Sequence, residues 1–121
     1  MKRISIIKIA ATLSFALAST AAFAHAQLEK ATPAVGGTVA SASEIRIEFS
    51  EGVEPRFSGV TLTGAGGASV PLGPAKVEAG DAKVLIVPIA KPLSPGAYAV
   101  HWHAVSVDTH HTQGTFEFAV K

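Results

Sequence analysis

Histidine carries most of the chemistry open to this chain. All five histidines lie after residue 24, and four of them, His101, His103, His110 and His111, fall within eleven positions. There is no Cys, and the single Met is Met1. Disulfides, thiolate metal sites and Cys nucleophiles are therefore excluded together. What remains is nitrogen and oxygen chemistry, which does not favour Cu(I), an ion that prefers sulfur.

His25 has the sharpest signal. It follows Ala22-Phe23-Ala24, an A-x-A cleavage pattern, and before that comes an uncharged run from Ile9 behind Lys2, Arg3 and Lys8. This is the layout of a secretory signal peptide over residues 1–24, with the cut between Ala24 and His25. Lys8 leaves the apolar run shorter than the ~20 residues a spanning helix needs. An N-terminal His offers two nitrogens from one residue, the α-amine and ring Nδ1. The amine's reference pKa of about 7.7–8.0 lets a metal displace its proton near neutrality.

Asp108-x-His110 is the second signal. Residues i and i+2 of an extended segment point to one side, so a carboxylate and an imidazole would converge. With His25 this makes three nitrogens and one oxygen, a set that suits tetragonal Cu(II), whereas Zn(II) would prefer a tetrahedron. Read alone, each signal has an ordinary alternative: a His that happens to follow the cut, and a polar turn.

The elements that must hold these residues are strands. Segments of period two alternate with Gly/Pro/Ser clusters about every 8–12 residues, the pattern of an antiparallel sandwich or barrel of about seven strands. In Glu44–Phe49, Ile45, Ile47 and Phe49 share one face. Val60–Thr63 is a second run. Lys83–Val87 is continuously apolar, which implies burial on both faces, with Pro88 ending it or marking an edge. A long strand runs from Ala97 to Val107, with Tyr98, Val100 and Trp102 inward and His101 and His103 on the solvated side. Thr115–Val120 is the last strand, and residues 108–114 form the turn before it. Arg56 and Phe57 read as a loop-packing pair. Nothing in the mature chain shows a capped helical period.

Composition bounds the function. The chain has 121 residues, 16% of them charged and 48% hydrophobic, which argues for one small packed domain (residues 25–121) and against disorder. Removing Lys2, Arg3 and Lys8 with the leader takes the formal charge from +1 to −2. A nucleic-acid partner has no electrostatic footing.

Several segments together resemble a known family. They are His25-Ala26, Thr32-Pro33-Ala34 with Gly36-Gly37-Thr38-Val39, Phe49-Ser50-Glu51, Arg56-Phe57-Ser58-Gly59-Val60, and above all the run from Tyr98 to His110 followed by Gly114 and a Phe-rich last strand. In these the chain resembles the CopC-type copper-resistance proteins, seen also as YobA-like proteins, over essentially all of its mature length. The resemblance implies an immunoglobulin-like Greek-key β-sandwich that binds one Cu(II) in the periplasm through an N-terminal histidine brace. It implies His25, Asp108 and His110 as ligands, and Glu51 as a weak axial or outer oxygen. It implies a copper carrier or buffer serving resistance and homeostasis, not an enzyme. The carrier would be monomeric and would exchange copper with a CopD-type inner-membrane protein. Some members carry a Met-rich Cu(I) site at the other end, whose methionines are missing here. His111 departs from the family pattern, where Pro or Lys is common, and is an alternative or extra ligand.

Two other functions stand beside this one. A copper histidine brace is also the centre of polysaccharide monooxygenases, but these need open coordination and a flat aromatic face, and the aromatics here have inward parity. An Ig-like adhesion or assembly module with incidental His is the third.

Overall fold

The computed structural model describes residues 25–121; the leader read over residues 1–24 lies outside them. The chain forms nine strands: β1 Leu28–Thr32, β2 Thr38–Val39, β3 Glu44–Phe49, β4 Gly59–Thr63, β5 Ser69–Val70, β6 Lys76–Glu78, β7 Asp81–Pro88, β8 Gly96–Val105 and β9 His111–Val120. Among the described residues the only helical turn is a 3-10 turn at Ala65–Gly67.

The strands make two sheets, in the orders β1-β3-β7-β6 and β2-β9-β8-β4-β5. Their apolar faces meet in one core. From the first sheet come Ile45, Ile47 and Phe49, all fully buried, with Leu85 and Val87. From the second come Leu62, Val100, Trp102, Phe116 and Phe118. Phe49 meets Trp102 edge to face at 5.2 Å between ring centroids, the geometry that the ring quadrupoles favour. Burial alternates along β8 as its period of two requires. β7 breaks the alternation, with Val84 to Val87 all buried, because it is an inner strand and its outer face is covered as well.

The structure departs from the sequence reading in three places. Pairing is antiparallel except for β2, whose Thr38 and Val39 run parallel to Ala119 and Val120 of β9. This follows from the chain crossing from β1 in one sheet to the outer edge of the other. Secondly, β9 starts at His111 rather than Thr115, and β8 ends at Val105 rather than Val107. The polar residues His111–Gln113 pair with His103–Val105 and belong to the strand. Thirdly, Gly114 is a strand residue and not part of a turn. It stands opposite Trp102, and a Cβ there would come within 2.6 Å of the indole. The glycine is the space the indole occupies.

Candidate metal centre

The segment His25–Gln27, the loop from Ser50 to Ser58 and the turn from Ser106 to His110 come together at one end of the sandwich. Ala26 is fully buried, and its carbonyl accepts a hydrogen bond from Thr112 Oγ1 at 2.9 Å. Gln27 N–H donates to Ser50 Oγ at 2.9 Å, while Ser50 N–H donates back to the Gln27 carbonyl at 2.8 Å. These bonds fix the backbone beside His25 through neighbours and leave its ring free.

The loop after β3 is sewn to the end of β8. Val53 is buried and bridges to Ser106. Glu54 N–H donates to the Val105 carbonyl at 2.8 Å, and Val105 N–H donates to Ser58 Oγ at 2.9 Å. Arg56 lies over the Phe57 ring, 5.9 Å from its centroid, so the two pack as a pair.

Ser106 organises the third piece. It is wholly buried, where an unsatisfied hydroxyl would be costly. Its Oγ donates to Asp108 Oδ1 and accepts from His110 N–H at 3.2 Å. The chain reverses at Thr109, whose φ of 73° is a left-handed conformation that β-branched residues avoid. Its N–H donates to the Ser106 carbonyl at 2.8 Å, helping to hold that conformation. Asp108 and His110 thus converge through a tight turn, not through the extended segment the spacing suggested. Asp108 Oδ2 lies 3.2 Å from His110 Nδ1. Adjacent corners of a square with metal bonds of about 2.0 Å are about 2.8 Å apart, so this gap is close to what one ion would span. The Ser106 hydroxyl, with a smaller contribution from His110, holds the Asp108 carboxyl below its ordinary 3.8. The shift favours the ionised carboxylate.

His25 and His110 meet edge to face, with ring centroids 4.5 Å apart and an angle of 81°. Two buried side-chain polar atoms among the described residues have no hydrogen-bond partner, His25 Nδ1 and Glu51 Oε2. Buried polar atoms are nearly always paired, so an unpaired nitrogen and an unpaired oxygen at one end of the molecule fit the donors of a cation site. The pairs are close, yet among the described residues no three His, Asp or Glu side chains stand at full metal-cage spacing. The fourth expected donor, the His25 backbone nitrogen, is an amide for as long as Ala24 precedes it.

His25, Asp108 and His110 are thus brought together, and Glu51 contributes an orphaned oxygen on the neighbouring loop. His111 is exposed and opens β9. His101 and His103 are exposed on β8, on the far side from Trp102. Sequence reasoning gave no role to Ser50, Ser58, Ser106 and Thr112. The available signal was Ser106, a lone hydroxyl between Val105 and Val107 just before the D-x-H triplet.

A CopC domain model matches residues 28–121. The protein YobA of Escherichia coli K12 is 45% identical over 112 residues, covering 92% of this chain and 90% of that one. Copper resistance protein C of Xanthomonas campestris pv. juglandis is 38% identical over 122 residues, covering 97% and 96%. The crystal structure of PcoC, a methionine-rich copper resistance protein from Escherichia coli, superposes with a TM-score of 0.74 at 34% identity. That match covers 81% of this chain and all of PcoC.

Proposed function

The chain belongs to the CopC family, and from that premise we propose that it binds Cu(II) as cargo in the periplasm, for copper resistance and homeostasis. Signal peptidase cuts after Ala24, and the mature domain runs from His25 to Lys121. The new α-amine and Nδ1 of His25 take two positions on the ion. A ring nitrogen of His110 takes a third and an Asp108 oxygen the fourth. Glu51 sits as a weak axial or outer oxygen. Export therefore switches the site on, since the precursor lacks the amine.

The observation that carries this reading is the pair of orphaned buried atoms, His25 Nδ1 and Glu51 Oε2. The proposed ligand set favours Cu(II). Nitrogen and oxygen donors with no sulfur hold Cu(II) better than Cu(I), so the bound ion resists reduction and is carried without cycling. PcoC is called methionine rich, whereas this chain has no Met beyond Met1. The protein acts as a monomeric carrier rather than an enzyme, with Asp108 filling a coordination position that oxygen activation would need open. Copper passes to or from a CopD-type inner-membrane protein. Phe57 and Val107 support a docking role for this end, being 60% and 58% exposed.

The test is the intact mass of the secreted protein together with its copper stoichiometry. The expected result is a chain starting at His25 that binds one Cu(II) tightly. A secreted chain that starts elsewhere, or tight binding by the unprocessed precursor, overturns it.

A further inference from the structure

We propose a second, weaker site for Cu(II) on the outer face of β8, held by the imidazoles of His101 and His103. It shares no residue with the centre at His25 and does not rest on that reading.

The face is defined by the strand. Tyr98, Val100 and Trp102 are buried, and His101 and His103 project to the other side, both exposed. At a rise of about 3.3 Å per residue their Cα atoms are about 6.6 Å apart. Two imidazoles on stems of that spacing reach a common ion with bonds of about 2.0 Å.

The neighbours leave both rings available. His101 Nδ1 lies 3.1 Å from Thr115 Oγ1 on β9. That contact holds the ring towards β9 by one nitrogen and leaves Nε2 open, and the ring leaves it when it turns to share an ion with His103. His103 lies against β4, where its cross-strand partner is Gly59. A Cβ on Gly59 would meet His103 Cε1 at 3.1 Å, so the glycine leaves room for the ring to lie flat or swing. The rings lean towards opposite neighbours, and exposed side chains change rotamer within nanoseconds.

More donors flank the pair. Gln113 is the partner of His103 and Ala99 that of Glu117. His111 is therefore diagonal to His103, and Glu117 diagonal to His101, all on one outward face. Both are exposed. An outward face carrying two His on β8 and a His and a Glu on β9 has no packing role to explain it. Cu(II) is the ion such a pair takes best, because it leads the affinity order for imidazole. With two protein nitrogens instead of three, and water in the remaining positions, the site is the weaker of the two.

The test is equilibrium dialysis of the mature protein against Cu(II) alone, beside a variant carrying His101→Gln and His103→Gln. Both residues are exposed, so the variant keeps its fold. The expected result is that the wild type binds one more Cu(II) than the double variant, and that either single exchange weakens this equivalent more than about tenfold. A protein carrying His25→Ala and His110→Ala should retain it, with a two-nitrogen paramagnetic resonance pattern. Equal stoichiometry and affinity in wild type and the His101/His103 variant overturns the proposal. If the wild type binds one ion and loses it in that variant, this site stands and the His25 centre falls. If that one ion survives there, the reverse holds.

Discussion

The two ends of the sandwich share backbone hydrogen bonds and differ in the side chains added to them. At the end that carries His25, Asp108 and His110, hydroxyl side chains tie the loops: Ser50 to Gln27, Ser58 to Val105, Ser106 to Asp108 and His110, and Thr112 to Ala26. At the opposite end the ties are mostly backbone to backbone. Gly73 donates to Pro88, Ile89 to Ser43 and Ala90 to Pro71, and the chief side-chain tie is Tyr98 Oη to the Ser94 carbonyl at 2.6 Å. The difference has a physical reason. A loop that presents ligands must keep donor atoms open for the ion, so Asp108 is held through one carboxylate oxygen, Oδ1, and His110 through its backbone N–H. The fixing passes to small residues that bind nothing themselves.

The largest test of this contrast acts on what both ends share. Phe49→Ala removes the ring that meets Trp102 and should cost about 3–5 kcal/mol of stability. Denaturant unfolding reads the loss, and copper binding should weaken along with it. A variant that lost stability but bound copper as before would show that the ligand loops stand without the core.

Ser106→Ala separates the ends. It strips Asp108 and the His110 N–H of their buried hydroxyl, which should cost about 1–3 kcal/mol. Because the ligands lose their orientation, Cu(II) affinity should fall about 10–100-fold. Ser106→Thr, which keeps the hydroxyl, should restore much of that affinity. Tyr98→Phe is the counterpart at the far end. It should cost about 1 kcal/mol and leave copper affinity unchanged. Equal copper loss in the alanine and phenylalanine variants would erase the distinction between the ends.

The smallest effect is in acid, with the metal-free protein. The Asp108 carboxyl lies below its ordinary 3.8 when folded, because Ser106 donates to it. The unfolded chain therefore takes this proton first as pH falls. The stability from the ionised carboxylate is complete above 3.8 and is lost as pH drops through the lower folded value. Asp108→Asn should be less stable than wild type above that window, with the gap closing below it. A gap that stayed constant through acid titration would contradict the assignment.

Much of this was legible in the residues. Ile45, Ile47 and Phe49 declared β3 by alternation, and Tyr98, Val100 and Trp102 gave the inward face of β8. The start of β9 was not legible. His111 to Gln113 are polar and Gly114 reads as a turn, yet they pair because the outer face of that sheet is solvated and the inner one must make space for an indole. β1 and β2 were hidden for a related reason. Leu28–Thr32 is an edge strand with mixed polarity, and a two-residue strand has no period to detect. At the site, the residue types of His25, Asp108 and His110 marked them as candidates, and the fold brings these three together. The convergence of Asp108 with His110 did not follow from extended spacing. It depends on a left-handed Thr109 and a buried Ser106, which only the fold brings into register.

The central claim is that a free amine at His25 grips Cu(II) together with its own imidazole. The direct measurement is the paramagnetic resonance spectrum and copper affinity of the mature protein, beside the same protein with one alanine placed before His25. A three-nitrogen pattern is expected in the first. In the second, that pattern is lost and binding weakens by orders of magnitude. Identical spectra and affinities in the two proteins would contradict it.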